Sequence, residues 1–356
     1  MTILTDRSRH LAGMNCQRKR FIGYEVGGRG LQPLQTPQYF AVGTAVHNII
    51  EDAWARSEGV SFTPMEEEAQ QIVLDGEDLH QVVVEQQALI KAIGLAYERV
   101  RLPKLQQEFK VVDIEPEILI DVGEGVALMT RPDLILQRHH DGAFIVNELK
   151  TTSGFSWGWT MGWQENLQIL LENLALKQWL LSHGHDVDRA RGVMVEGISK
   201  GKRTKDALGS RRYESPLIYE KPTSKYRELV YDVESHVASL DEATVEAQFS
   251  PLQPIMTDPA FEGRVIRQIC ANEKNVRERR THVTQPLQKG LCWEWENVWE
   301  DADRDFPQNP DECSRFGGDS KCEFYSICWG QAGRNPLEFG YQWRKPNHQL
   351  EKEILK

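Results

Sequence analysis

Two hydrophobic periods alternate along the chain. Over residues 38–56 the apolar positions Phe40, Val42, Val46, Ile49, Ile50 and Trp54 recur at helical spacing, which predicts a helix buried along one side. An acidic helix is expected over residues 65–78 and a longer helical stretch over 79–107, their charges forming solvated faces. Residues 109–122 change to strand character through Val111, Ile114, Ile118 and Ile120. Two apolar runs, 127–136 and 143–149, then flank His139-His140-Asp141-Gly142, and Asp-Gly between alternating runs predicts a hairpin. A helix is expected over 164–182 and a buried strand over 191–198. Helices over 225–248 and 260–279 follow, separated by Pro251, Pro254 and Pro259. Strands bracketed by helices predict an α/β fold whose core sheet is mixed or antiparallel.

Composition narrows the class. At 356 residues and 40.9 kDa the chain is long enough for one large domain or two small ones; one domain over 1–340 with a tail over 341–356 is expected. The net charge, 42 − 53 = −11, argues against coating nucleic acid by bulk electrostatics, so a nucleic-acid enzyme would need a local basic track. No apolar run approaches the roughly 20 residues of a membrane span, and the first residues lack the apolar core of a signal peptide. A cytoplasmic protein is expected. Six cysteines are too few and too unevenly spread for a disulfide framework; three of them, Cys313, Cys322 and Cys328, crowd together and suggest a metal.

The candidate chemistry lies at the hairpin. Asp133 and Glu148 fall on neighbouring strands, and Lys150 follows two residues after the glutamate. Side chains alternate along a strand, so Glu148 and Lys150 share a face while Leu149 points the other way. Carboxylates that hold a hard divalent cation, with a lysine beside them, suit metal-assisted phosphodiester hydrolysis. No G-x4-G-K-[ST] phosphate loop occurs, so a self-contained helicase-nuclease is not expected.

Pro132-Asp133 followed by Glu148-Leu149-Lys150 resembles the signature of the PD-(D/E)XK nuclease superfamily. Gly43-Thr44-Ala45-Val46-His47 with Glu51 is similar to the histidine motif of its RecB-like branch. The resemblance implies an α/β, restriction-endonuclease-like core with a central mixed sheet flanked by helices, and a metal-dependent deoxyribonuclease, expected as an exonuclease. Asp133, Glu148, Lys150 and Gln168 are its implied catalytic residues. The implied ligands of Mn or Mg are His47, Asp133, Glu148 and the carbonyl of Leu149, with the imidazole tilting preference toward Mn. Either Glu115 or Glu117 is implied to stand near the site. Gln168 matches the glutamine of the branch's Q-x-x-x-Y helix, where Glu172 replaces the tyrosine; Gln164 with Gln168 offers a second register.

The Cys-x8-Cys-x5-Cys group resembles that of iron-sulfur nucleases, among them CRISPR-associated RecB-like exonucleases and AddAB-type nuclease domains; phage exonucleases belong to the same circle. Cys16, ahead of Gln17-Arg18-Lys19-Arg20-Phe21, resembles their fourth ligand. The resemblance implies a structural [4Fe-4S] cluster on Cys16, Cys313, Cys322 and Cys328, with Zn at the same thiolates as the alternative. The expected substrate is DNA, single-stranded or with free ends, and the expected partners are recombination or phage proteins. Lys200, Lys202, Arg203, Lys205, Arg211 and Arg212 are the candidate phosphate contacts. Trp157 and Trp159 are either a core plug or a surface for stacking unpaired bases. An alternative function is a non-catalytic, DNA-binding adaptor retaining the fold.

Overall fold

The computed structural model describes residues 3–36, 38–60, 71–72, 79–205, 211–218, 232–278, 295–313, 322–329, 335–345 and 348. Pro132 changes how the sheet begins. It has no N–H to donate, so strand pairing stops there, and the run expected as one strand over 127–136 becomes Val126–Thr130 and Leu134–Arg138, in different sheets. The run over 109–122 divides likewise, into Phe109–Ile114 and Ile118–Gly123, on either side of Glu115, whose φ of +48° no regular strand accommodates. The helix expected over 65–78 lies outside the described residues, except that Gln71–Ile72 form a short strand.

The chain forms two compact units, one of Thr36–Ile118 with Arg131–Thr257 and one of Met1–Gln35, Leu119–Thr130 and Asp258–Lys356. The first is built on a five-stranded mixed sheet. In spatial order its strands are Phe249–Pro251, Ala190–Ser199, Phe144–Thr152, Leu134–Arg138 and Phe109–Ile114. Ala190–Ser199 runs parallel to Phe144–Thr152, and the other neighbours are antiparallel. The parallel pair is joined through the helix Leu167–Ser182, the crossover that a parallel connection requires. The Asp141-Gly142 turn forms as expected: Gly142 adopts φ +66° and Arg138 N–H donates to the Ala143 carbonyl at 2.8 Å.

Alternation along Phe144–Thr152 sorts its side chains between two layers. Ile145 and Leu149 join one core with Val42, Val46, Ile50 and Trp54 of the helix Gln38–Glu58 and with Leu89, Ile93 and Tyr97. Phe144 packs on the other face against Trp179 of Leu167–Ser182, with ring centroids 5.8 Å apart. Trp54 Nε1 donates to the Tyr97 hydroxyl at 3.0 Å, so the buried indole keeps a partner.

In the second unit, Ile3–Asp6, Val126–Thr130 and Ile118–Gly123 form a three-stranded sheet. Tyr341–Trp343, at the start of the expected tail, pairs antiparallel with Leu31–Pro33. Buried Arg18 and Arg20 tie early residues to late ones: Arg18 donates to Asp303 at 2.6 Å and to the Phe306 carbonyl at 2.8 Å, and Arg20 donates to Glu273 at 2.7 and 3.1 Å. No described helix is long and apolar enough to cross a membrane.

Candidate active site

The first unit gathers the site at the point where its sheet meets the helix Gln38–Glu58. Core packing of Val42, Val46, Ile50 and Trp54 fixes that helix, and His47 and Glu51, four residues apart, project on one face. Leu134 pairs with Asn147, so Asp133 enters the sheet beside Glu148. The Leu149 N–H donates to Asp133 Oδ2 at 2.7 Å, and His47 Nδ1 lies 3.7 Å from the same oxygen. His47, Glu51 and Asp133 each offer a ligand atom within 4.8 Å of the other two. Opposite ligands of an octahedral cation with bonds of about 2.1 Å stand roughly 4.2 Å apart, so three atoms grouped this closely can share one ion.

Glu148 and Lys150 share a face, as alternation requires, and form an ion pair. Gln168 Nε2 donates to the same Glu148 carboxylate. Gln168 belongs to the helix Leu167–Ser182, whose N-cap Asn166 accepts from the Gln168 N–H at 2.8 Å; Gln164 precedes that helix, so the second register does not apply. One turn on, Glu172 is buried and also hydrogen-bonds Glu148. Leu149 buries its side chain in the core and turns its N–H to Asp133.

The electrostatics follow from crowding acids in a dry place. Burial, then the nearby Asp133 and Glu115 charges, pushes the Glu51 carboxyl up to about 9, against the opposing effect of Arg131. Burial and then Glu148 raise the Glu172 carboxyl well above its ordinary range, with Lys150 opposing. Burial also raises Glu115, with Arg131 opposing from 3.6 Å. Asp133 goes the other way: its burial cost is outweighed by His47, Lys150 and the Leu149 N–H, which keep it ionised. Burial would lower Lys150, but Glu148, Asp133 and Glu172 more than compensate and keep it an ammonium.

The structure thus brings together His47, Asp133, Glu148, Lys150 and Gln168. It groups Asp133 with His47 and Glu51, while Lys150, Gln168 and Glu172 occupy the Glu148 carboxylate. Glu51 and Glu172 are additions to the expected set. Each stands four residues after a recognised one, Glu51 after His47 and Glu172 after Gln168, and that helical spacing was the available signal.

The two readings of the tryptophans divide between residues. Trp159 packs edge-on against Phe155 and Trp163, at 5.3 and 6.0 Å. This needs a glycine at 197, where a Cβ would come within 2.5 Å of the Phe155 and Trp159 rings. Trp157 stays 79% exposed. Lys202–Lys205 pairs antiparallel with Arg211–Glu214, a hairpin that carries Lys202, Arg203, Lys205, Arg211 and Arg212 on paired strands. Lys202 is exposed, whereas burial lowers the Lys200 ammonium, and the Lys200 N–H donates to the Thr152 carbonyl.

In the second unit Cys16, Cys313, Cys322 and Cys328 are free thiols. Burial pushes the Cys328 thiol up to about 12, with Arg18 opposing and the neighbouring Cys16, Cys313 and Cys322 adding to the rise, so the four are electrostatic neighbours. The Cys322 N–H donates to the Cys313 carbonyl at 3.4 Å, and Cys16 Sγ accepts from the Lys19 N–H at 3.4 Å. Among the described residues no three of these sulfurs lie within 4.8 Å of one another.

A pocket of carboxylates and an imidazole fits a hard divalent cation, since both Glu51 oxygens are buried without a hydrogen-bond partner among the described residues. With a lysine alongside, on a helix-flanked mixed sheet, this is the class of site that serves metal-assisted hydrolysis. The chain belongs to the PD-(D/E)XK nuclease superfamily, whose family model matches residues 8–329. Its sheet and flanking helices form a restriction-endonuclease-like core. No curated protein matches the chain.

Proposed function

We propose that the protein is a metal-dependent deoxyribonuclease, acting as an exonuclease on single-stranded or end-containing DNA in recombination, repair or phage DNA metabolism. The observation that carries this reading is the meeting of His47 and Asp133 with the Glu148–Lys150 pair in one pocket of a nuclease-family chain. His47 and Asp133 hold one or two Mn or Mg ions, with Glu148 and the Leu149 carbonyl as further oxygen ligands. A cation held there supplies Lewis acidity to the scissile phosphate and lowers the pKa of a bound water. Lys150 donates N–H bonds that orient the attacking water, and it offsets the charge that builds on the phosphate oxygens. As an ammonium it has no lone pair with which to take a proton. Gln168 holds the Glu148 carboxylate and through it Lys150.

The DNA is held by Lys200, Lys202, Arg203, Lys205, Arg211 and Arg212 on its phosphates, by Trp157 stacking on an unpaired base, and by Trp159 behind it. Recombination or phage proteins are its partners. Cys16, Cys313, Cys322 and Cys328 hold a structural [4Fe-4S] cluster that ties residue 16 to residues 313–328. Zn at the same four thiolates is the alternative occupant.

The test is digestion of end-labelled single- and double-stranded DNA, linear and circular, by anaerobically prepared protein whose iron and sulfide are also assayed. Cleavage with Mn or Mg is expected for wild type, and none for Asp133→Ala or Lys150→Ala at unchanged thermal stability. Wild-type rates in Asp133→Ala would sink the reading. Binding without cleavage by wild type would make the protein a DNA-binding adaptor instead.

A further inference from the structure

Glu51 belongs to the stretch that resembles the histidine motif, yet the ligand set implied by that resemblance gives it no role. It is fully buried, and neither carboxylate oxygen has a hydrogen-bond partner among the described residues. The other acids are engaged. Asp133 accepts from the Leu149 N–H, Glu148 from Lys150 and Gln168, and Glu115 pairs with Arg131. A buried carboxyl group with no hydrogen-bond partner costs free energy wherever it serves only the fold. The cost is offset if both oxygens face a cation, and the groups that Glu51 approaches, His47 and Asp133, are the two whose ligand atoms lie within 4.8 Å of its own.

We infer that Glu51 is a direct ligand of the catalytic divalent cation, supplied one helical turn after His47 so that a single helix contributes both an imidazole and a carboxylate. This rests on the reading of the pocket as a metal-dependent nuclease site. Two ligands on one rigid helix are preorganised relative to each other, so they bind the ion without further ordering of a loop. Binding of the ion releases the Glu51 proton to solvent, and with Asp133 the charge presented to the ion becomes −2, which favours a divalent over a monovalent cation.

The test measures Mn binding directly, by calorimetric titration and by the loss of the free-ion signal in electron paramagnetic resonance, together with melting curves with and without Mn. Four full-length proteins are compared: wild type, Glu51→Gln, Glu115→Gln and Asp133→Asn. Glu51→Gln has nearly the same volume and breaks no hydrogen bond, so the metal-free protein is expected to melt no lower than wild type. Its Mn affinity is expected to fall at least tenfold, and the Mn-induced rise in melting temperature to shrink with it. Glu115→Gln, which removes a nearby charge already paired with Arg131, is expected to weaken Mn less than threefold.

Wild-type Mn affinity in Glu51→Gln, with the metal-free protein melting lower, would make Glu51 a structural acid and overturn the inference. An equal loss in Glu115→Gln would overturn it too, by showing that overall charge and not ligation is at work. Failure of the underlying reading gives a different pattern, since wild type would then bind Mn no better than Asp133→Asn.

Discussion

At the scale of single residues, the pocket is a contest between burial and charge. Asp133 and Lys150 keep their charges because each has opposite charge close by, whereas burial and Glu148 push the Glu172 carboxyl upward, in favour of its neutral form. Glu172 follows Gln168 by one helical turn and contacts Glu148, and a carboxyl in its neutral form is a hydroxyl donor. The amide of Glu172→Gln keeps a donor toward Glu148, so its kcat for DNA cleavage should stay within about tenfold of wild type. Glu172→Leu removes the donor and loosens the Glu148–Lys150 pair, which should lower kcat about 100-fold while KM stays within about threefold. Steady-state cleavage at saturating Mn distinguishes the two, and an equally active Glu172→Leu would show that the acid does not position Glu148.

At the scale of elements, the strand Ala190–Ser199 shows how backbone geometry supports the site from behind. Its register against Phe144–Thr152 shifts between Ala190 and Val193, and Gly192 sits in that bulge at φ +98°. A Cβ at this position would lie 2.4 Å from the Ile255 carbonyl oxygen, which already accepts from the Val193 N–H at 3.1 Å and from Asn173 Nδ2 at 3.1 Å. Gly192→Ala therefore meets both an unfavourable φ and a backbone clash, and should cost about 3 kcal/mol of stability, read from urea unfolding. The same logic separates the expected strands from those observed. Apolar alternation over 127–136 was legible, but Pro132 ended one strand and began another, and it is this break that leaves Asp133 at a strand entrance facing His47.

At the scale of the whole molecule, buried arginines join distant parts of the second unit. Glu273 illustrates the energetics: burial pushes its carboxyl up, but His10, 3.6 Å away, and the Arg20 guanidinium hold it down at about 2, below its ordinary 4.5. A depressed carboxylate stabilises the fold fully above its unfolded pKa, and the contribution is lost as pH falls from about 4.5 through about 2. The stability gap between wild type and Glu273→Gln should be about 3 kcal/mol at pH 7, from a shift of about 2.5 pH units, and should close over that acid window. Urea unfolding of both proteins at pH 7, 4.5 and 2.5 tests this; a gap that widens on acidification would contradict it.

The amino-acid sequence by itself determined the elements and the ingredients of the site. Apolar period placed the helix that bears His47, the Asp141-Gly142 hairpin and the helix that bears Gln168. Alternation put Glu148 and Lys150 on one face, because these are local consequences of backbone geometry. Only the tertiary structure decided which acids keep their protons, that Glu51 joins His47 and Asp133, that Trp157 stays exposed while Trp159 packs, and that four distant cysteines become neighbours. The reason is physical: burial, unmet hydrogen bonds and like-charge crowding arise from residues far apart in the chain, and no local pattern encodes the distance between them.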